Sequence, residues 1–575
     1  MRSLNLGAFL CAFGCVAFGI ADNVPTAKTN GVTYHGFHRD RVEAFLGIQY
    51  AEDTGGENRF RPPIPYEHPD GSIVQATKPG SACPQDEGLT LIPLYLGNYT
   101  DISEDCLRLN VFRPNGSKAG DKLPVMVYIH GGSFYGASKD DPNSQPAGLI
   151  LNSVANRHPV IQVQLNYRLG VFGFAKSEAL RKDGSENLAL RDQRLALQWV
   201  HDHIESFGGD CKKVTLQGQS SGGFSVGMQT LAFGGSKPQL FQTIIGQSQI
   251  LEGGITGNFT RGIMARIVKQ TGCNKTSVDS DETISCLRNL SMTDLLAAQT
   301  ATQSGEANIG DEWLPTVDGD FIPAAPSTLL ASKRFYNVTT MLGWCEDDTT
   351  YFVYPPVSTS NETTAFFKQY LPNFTPSNLT HLLSMYPKSD FHNKNFPNGS
   401  LELPREMYRA GRILRDILMV CQPILFGSAM HAAGNDVYLY VLNQTILTPI
   451  FQTNFSLYGY GVEHTSDFAY VFGNLSNYDI YDFPFHPSKS DYALAKRMST
   501  SWANFAALRR PSLKGWKKAS FENDKNFGTY VIGGKYEGYS GIGGNEGSRK
   551  AVAFEKLRER CEFLTRRDIV KQIGF

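Results

Sequence analysis

The segment VTLQGQSSGG, residues 214–223, places Ser220 at the centre of a Gly-x-Ser-x-Gly turn between a short apolar run and a glycine-containing helix start. Gly218 and Gly222 allow a strand and the helix after it to pack closely, while the strained backbone at the serine pushes its hydroxyl outward. Such a hydroxyl becomes a nucleophile once a base takes its proton. The segment therefore predicts a strand, a sharp turn and a helix that present a reactive serine.

A second glycine-rich segment, HGGSF at residues 130–134, follows the apolar run Val125–Ile129. Glycines in such a loop let main-chain N–H groups point at one spot without a side chain in the way. A developing oxyanion needs donors arranged in that manner, and the loss of one donor typically lowers turnover by about 10²–10³. We expect the N–H groups of Gly132 and Ser133 to act as these donors.

Apolar runs alternate along the chain with helical stretches, and this alternation predicts a mostly parallel central sheet with helices on both faces. The predicted strands are Val125–Ile129, Val160–Leu165, Val214–Leu216, Thr243–Ile245, Thr340–Leu342 and Val437–Val441. The clearest helix is Leu188–Phe207, whose apolar stripe indicates core packing and which Gly208 and Gly209 end. The candidate catalytic residues are expected on loops beyond the carboxyl ends of the strands.

The chain resembles the type-B carboxylesterase family, the cholinesterase and lipase branch of the α/β-hydrolases. Two segments, EDCLRLNVFRP at 104–114 and FGGDCKKVTLQGQSSGG at 207–223, resemble the two signatures of that family. Three more segments match the family, FLGIQYAE at 45–52, NYRLGVFGF at 166–174 and DQRLALQWV at 192–200. The resemblance runs from about residue 30 to the C-terminus and implies the α/β-hydrolase fold.

The resemblance also assigns an acid to the site. In the family a carboxylate, usually glutamate, falls five residues after the glycine that ends a strand, and counting from Gly343 reaches Asp348. Aspartate is one methylene shorter than glutamate but can still orient and stabilise an imidazolium. Asp347 and Glu346 remain competing choices.

The family resemblance also assigns the base. The loop GVEHTSDFAYVFG, residues 461–473, resembles the histidine loop of the family and implies that His464 is the base. The chain order Ser220, Asp348, His464 is the one that α/β-hydrolases use. By the same resemblance, Ser221 supplies a third oxyanion N–H. Ser248 either braces the histidine and the acid or caps a strand end.

Residues 1–21 are predicted to be a secretory signal peptide. Arg2 gives the positive start, Leu6–Ile20 is apolar, and Gly19-Ile20-Ala21 is an acceptable cleavage site. Thirteen Asn-x-Ser/Thr sequons, from Asn98 to Asn474, also favour a secreted glycoprotein. We expect an extracellular protein in which residues 22–575 form one catalytic domain, because no linker, repeat or low-complexity tract marks a boundary.

Cysteine usage fits an oxidising compartment, in which each disulfide stabilises by about 2–4 kcal/mol. The family resemblance implies three pairs: Cys83 with Cys106, Cys273 with Cys286, and Cys421 with Cys561. Cys211 and Cys345 are left over and are expected at opposite ends of the sheet.

Several function classes are disfavoured. A net charge of −1 gives no broad basic surface for nucleic acid. After the signal there is no apolar run of about twenty residues and no lipid-anchor tail, so stable membrane insertion is not expected. Neither an HExxH helix nor an EF-hand loop is present, and we expect no metal and no cofactor.

Differences between this sequence and those of other family members narrow the range of expected substrates. Cholinesterases carry a tryptophan between the cysteines of the first disulfide and a glutamate before the nucleophile, whereas this chain has no such tryptophan and carries Gln219. Choline esters are therefore not expected. The loop from Cys83 to Cys106 holds one apolar cluster, Leu89–Leu96, and is too short for a generous lipase lid.

We therefore expect a serine hydrolase that cleaves small to medium apolar carboxylic esters through an acyl-enzyme. A lipase or sterol esterase acting on lipid esters is the alternative within the same family. Adhesion proteins with this fold that have lost the nucleophile form a different class. The presence of both Ser220 and His464 argues against that class.

Overall fold

The protein is described by a computed structural model that covers residues 24–86, 94–302, 312–393, 403–456, 458–476, 478 and 486–575. The predicted signal peptide lies outside the described residues, as do residues 89–93 of the apolar cluster. The assignment of residues 22–575 to one domain stays a prediction.

Strands account for most of the framework on which the site is built. Within the described residues they are β1 Thr26–Thr29, β2 Val32–His35, β3 Phe37–Arg39, β4 Val42–Gln49, β5 Ile73–Gln75, β6 Arg108–Pro114, β7 Leu123–Ile129, β8 Ile161–Leu165, β9 Gly209–Gln219, β10 Thr243–Gln247, β11 Thr339–Cys345, β12 Val437–Leu442, β13 Tyr530–Ile532 and β14 Gly538–Tyr539. All six predicted strands are present. β9 and β11 extend beyond their predicted ends, because residues 217–219 also pair with β10 and residues 343–345 also pair with β12.

Helices fill the connections between the strands. In the described parts of the chain they are α1 Ala147–Ala155, α2 Gly170–Phe174, α3 Glu178–Lys182, α4 Leu188–His203, α5 Ser221–Leu231, α6 Phe259–Gln270, α7 Asp281–Arg288, α8 Met292–Thr302, α9 Pro326–Ala331, α10 Ser360–Tyr370, α11 Pro376–Ser384, α12 Arg405–Arg415, α13 Cys421–Ala432, α14 Thr448–Phe455, α15 Phe468–Val471, α16 Lys489–Leu508, α17 Glu546–Ala553, α18 Leu557–Leu564 and α19 Arg567–Ile573. The predicted helix 188–207 is α4 followed by a tighter turn over Ile204–Phe207, and Gly208 at φ 95° ends it.

The main sheet has eleven strands in the order β14-β13-β12-β11-β10-β9-β7-β8-β6-β4-β3. The run from β13 to β8 is parallel throughout, and the antiparallel strands lie only at the two margins. A small second sheet joins β1, β2 and β5. The carboxyl ends of β9, β10, β11 and β12 therefore share one edge, where ligands bind in open α/β sheets.

Side chains alternate between two buried layers along each central strand. In β7, Val125, Val127 and Ile129 join one apolar cluster, while Met126 and Tyr128 join another on the opposite face. Burial on both faces explains why these strands read as continuous apolar runs. The mostly parallel sheet with helices on both faces confirms the predicted fold class.

Three disulfides are present in the described residues, joining Cys83 to Cys106, Cys273 to Cys286 and Cys421 to Cys561. Cys211 and Cys345 are unpaired. They lie at the amino end of β9 and the carboxyl end of β11, which are opposite ends of parallel strands.

One described stretch, 405–432, is long and apolar enough to cross a membrane by length and composition alone. Of its most apolar window, 83% is buried in the protein, as in the core helix of a globular fold. It consists of α12, a wider π-helical turn over Asp416–Val420, and α13. At the turn, Arg415 and Asp416 are both fully buried and form an ion pair at 2.7 Å.

Candidate active site

Ser220 occupies the sharp turn between β9 and α5. Its φ of 58° is a left-handed conformation that costs a non-glycine residue about 1–3 kcal/mol. A Cβ on Gly218 would overlap the main chain of Gly222, and a Cβ on Gly222 would overlap the carbonyl of Ile129. The turn is held by a 2.9 Å hydrogen bond from Ser220 N–H to Gln247 O. Only glycine fits at positions 218 and 222, as the sequence motif indicates.

The candidate residues follow neighbouring strands at the shared edge. Ser220 comes directly after β9, Ser248 directly after β10, and Asp348 three residues after β11. His464 lies in the loop between α14 and α15, after β12. The fold thus brings residues that are far apart in sequence to one end of the sheet.

Asp348 is the acid that contacts the histidine. Its Oδ1 lies 2.6 Å from His464 Nδ1, and its Oδ2 accepts a 2.8 Å hydrogen bond from Cys345 N–H. Both side chains are buried. The competing acids point elsewhere: Asp347 accepts from Val462 N–H at 3.0 Å, and Glu346 accepts from the Asn443 amide.

The other ring nitrogen of His464 faces the residue before the serine. His464 Nε2 lies 3.1 Å from Gln219 Nε2, and the Tyr95 hydroxyl donates to Gln219 Oε1 at 2.7 Å. Because the Asp348 carboxylate only accepts, the ring proton resides on Nδ1, and Nε2 then accepts from the Gln219 amide N–H₂. That tautomer leaves Nε2 able to accept a proton.

Phe352 closes one side of the imidazole, edge-on with the ring centroids 5.2 Å apart. The contacts of Tyr95, Gln219 and Phe352 with the site were not predicted from the sequence. The one sequence feature that could have indicated the contact of Phe352 with the site is its position four residues after Asp348.

The glycine-rich loop after β7 lies against the elbow. A Cβ on Gly131 would sit 2.9 Å from Ser220 Cβ, so only glycine fits there. Gly132 and Ser133 have φ values of 96° and 52°, and Phe134 N–H donates to Ser221 Oγ at 3.3 Å. The three N–H groups expected to bind an oxyanion therefore belong to two segments that touch each other.

His130, the first residue of this loop, is held in place by packing and a hydrogen bond. Its ring stacks on Tyr167 at 4.4 Å, and the Tyr167 hydroxyl donates to the main-chain oxygen of His130 at 2.8 Å. Burial lowers the pKa of His130 to about 4, so this ring is neutral at physiological pH. It is a packing residue rather than a second base.

Two more buried acids flank His464 and were not predicted. Burial raises the pKa of Glu463 well above its usual range, and Asp347 raises it further. Burial also raises the pKa of Asp467 to about 6, while its Oδ2 accepts a hydrogen bond from the Gln247 amide. The histidine loop sequence contains both acids, but only the fold buries them.

Ser248 lies at the carboxyl end of β10 with its N–H donating to Gly343 O at 2.8 Å. Among the described residues, its hydroxyl makes no hydrogen bond to His464 or Asp348. Its predicted role of bracing these two residues stays a prediction.

One group of potential metal ligands occurs in the described residues: Glu205, Asp210 and Cys211, whose ligand atoms lie within 4.8 Å of one another. Asp210 and Cys211 are at the amino end of β9. This group is therefore at the far end of the strand from Ser220 and takes no part in the site.

Glu346, the first of the three consecutive acids 346–348, titrates in the neutral range. Burial, followed by the charge of Asp347, raises its pKa from 4.5 to about 7. The folded protein thus holds this proton more tightly than the unfolded chain, so the stabilisation is complete below about pH 4.5 and is lost as the pH rises through about 7. We expect Glu346→Gln to flatten the pH dependence of the free energy of unfolding and to exceed the wild type in stability at pH 8.

Denaturant unfolding between pH 4 and 8 measures this effect. The exposed variant Glu52→Gln is the control and should keep the wild-type slope. Parallel curves for Glu346→Gln and the wild type would contradict the prediction.

The chain is similar to known proteins over most of its length. A sequence model described as the carboxylesterase family matches residues 22–539. A secreted lipase of Arthroderma benhamiae is 45% identical over 558 residues, which is 95% of each chain. An inactive carboxylesterase-like protein of Byssochlamys spectabilis is 35% identical, over 93% of this chain and 92% of its own length. The crystal structure of Aspergillus niger EstA is similar with a TM-score of 0.75 and 25% identity, covering 94% of this chain and 99% of that one.

Proposed function

The chain belongs to the carboxylesterase family and is a carboxylic ester hydrolase, and we propose that it works through Ser220, His464 and Asp348 by way of an acyl-enzyme. The observation that carries this proposal is the 2.6 Å contact between Asp348 and His464 Nδ1. It turns the opposite ring nitrogen toward the segment that holds the serine. An inert homologue has no physical need to keep this arrangement.

In the proposed reaction, Ser220 Oγ attacks the ester carbonyl carbon while His464 Nε2 accepts the hydroxyl proton. The negative charge on the former carbonyl oxygen is held by the N–H groups of Gly132, Ser133 and Ser221. Asp348 stabilises the imidazolium that forms, and His464 returns the proton to the departing alcohol. Water then attacks the acyl-enzyme by the same route and releases the acid.

Small to medium apolar esters are the proposed substrates, because the sequence from Cys83 to Cys106 is short for a lipase lid. A lipase is the second candidate, since the relative that is 45% identical over nearly the whole chain is named a secreted lipase. The same relative, the predicted signal sequence and the disulfides support an extracellular location.

A series of p-nitrophenyl esters from C2 to C16 tests the substrate class. We expect kcat/KM to be highest at short to medium chains, with no gain when emulsified triacylglycerol or micelles provide an interface. A maximum at C12 or longer with a sharp gain above the micelle concentration would favour the lipase candidate. Absence of hydrolysis across the series would contradict the proposed function.

Gln219 is proposed as a positioning residue for His464. In Gln219→Glu, a carboxylate replaces the amide donor at Nε2 and favours the imidazolium. A larger fraction of His464 is then protonated at low pH and cannot act as a base. We expect the acid limb of the kcat/KM profile to move to higher pH by about one unit. The shape-matched variant Gln219→Met lacks the negative charge and should not show this upward move. Identical profiles for wild type and Gln219→Glu would mean that residue 219 does not face the base in solution.

A further inference from the structure

A second cleft, separate from the catalytic residues, lies among α9, α13 and α19. Its volume is about 980 Å³, at the upper end of the 300–1,000 Å³ range of ligand pockets. The apolar part of its lining consists mainly of Leu330, Leu425, Ala429, Val570 and Phe575. None of the residues that line it belongs to the active site described above.

The charged side chains that line this cleft are all positive. Lys333, Arg567 and Lys571 line it and are exposed, and no aspartate or glutamate side chain lines it. Arg567 and Lys571 are four residues apart on α19, so they lie on the same helix face. In the described part of the chain neither of them forms an ion pair, whereas Lys556, Arg558 and Arg566 each have an acidic partner.

Two other groups at the cleft are already satisfied. The Lys333 ammonium donates to the Ala432 main-chain oxygen at 2.9 Å, which holds it at the edge beside the end of α13. The main-chain oxygen of Phe575 accepts a 2.7 Å hydrogen bond from the Ser327 hydroxyl. Asp568, the acid next to Arg567, pairs with Arg566 at 2.6 Å instead. The unpaired cations of α19 are therefore available to a ligand.

We propose that this cleft binds a long-chain carboxylate, with the alkyl chain on the apolar lining and the carboxylate at Arg567 and Lys571. An alkyl chain gains free energy when the apolar lining removes it from water. A guanidinium binds a carboxylate through two parallel N–H donors. A neutral lipid would leave both cations unpaired, and a cationic amphiphile would meet three like charges. The proposal concerns binding and does not depend on the chemistry at Ser220.

Fluorescence of cis-parinarate, a C18 fatty acid, on titration with the full-length protein measures the binding. We expect Arg567→Glu/Lys571→Glu to weaken the affinity at least tenfold, and Ala429→Trp, which narrows the cleft, to weaken it as well. The matched control is Arg266→Glu/Lys269→Glu, which reverses two exposed cations on α6, outside the cleft, that form no ion pair with any described residue. The control should bind as the wild type does.

The active site is a second place where a fatty acid can bind, and the variants separate the two. Binding that persists unchanged in Arg567→Glu/Lys571→Glu overturns the proposal, because it belongs elsewhere. Equal affinity for oleate and oleyl alcohol overturns the role of the cations. Equal loss in the α6 control also overturns it, since the effect would then be one of net charge. Circular dichroism and hydrolysis of p-nitrophenyl acetate, both unchanged in the cleft variants, establish that these proteins are folded.

Discussion

Replacing Ser220 by alanine is expected to lower kcat for p-nitrophenyl butyrate by about 10⁴–10⁶-fold. Alanine removes only the oxygen that attacks the carbonyl, so the acyl-enzyme cannot form. It keeps the Cβ, and a left-handed backbone at this position costs alanine as much as serine. The melting temperature should therefore stay within a few degrees of the wild type. Initial rates per mole of purified protein measure the loss, and a fluorophosphonate should label the wild type and not the variant.

Ser221→Ala is the matched control for that experiment. It lies one residue along the same turn, and only its main-chain N–H is assigned a role in catalysis. Its hydroxyl accepts a 3.3 Å hydrogen bond from Phe134 N–H, and its removal should cost at most about tenfold in kcat. Turnover by Ser220→Ala close to the wild-type rate would refute the serine mechanism. Equal and severe losses in both variants would indicate damage to the turn rather than loss of a nucleophile.

The elbow could be predicted from sequence because its determinants are local. Gly218, Ser220 and Gly222 fall within five residues, and the contacts that exclude larger side chains involve their own turn and β7. The strand and helix on either side follow from short-range patterning. The central strands could be predicted as well, because burial on both faces makes them uniformly apolar.

The identity of the acid needed the register of β11. The sequence suggested a strand ending at Leu342 or Gly343, but the strand continues to Cys345. The three acids then occupy a tight turn, in which Asp348 folds back to accept from Cys345 N–H and reach His464. Counting along the chain by family resemblance reached the same residue, yet only the turn explains why its neighbours point away.

Contacts across long stretches of sequence could not be predicted. Tyr95 and Gln219 are 124 residues apart, and Gln219 and His464 are 245 apart, so no periodicity links them. The burial of Glu463 and Asp467 is also invisible in the sequence, where acids in a polar loop are ordinarily solvated. The groups that surround the base depend on how loops meet, whereas the base itself has a recognisable local pattern.

The structure gives a specific reason to expect that Asp348→Asn lowers kcat by about 10⁴-fold. Cys345 N–H donates to one carboxylate oxygen, and the other oxygen faces His464 Nδ1. In the variant, the single amide oxygen is retained by Cys345 N–H, which turns the amide N–H₂ toward the imidazole. That amide can only donate, so Nδ1 must lose its proton and Nε2 must carry it. A protonated Nε2 cannot accept the proton of Ser220.

Two matched variants separate this effect from loss of charge. Asp347→Asn removes a carboxylate that accepts from Val462 N–H and does not contact the ring, and Asp467→Asn removes one held by Gln247. Each should keep kcat within about tenfold of the wild type, as expected for groups that do not set the tautomer. A loss in Asp347→Asn as large as in Asp348→Asn would reassign the acid. Because the Cys345 N–H donor is what imposes the wrong tautomer in Asp348→Asn, Asp348→Ala should be less impaired than Asp348→Asn at high pH, where an unconstrained imidazole can still present a free Nε2.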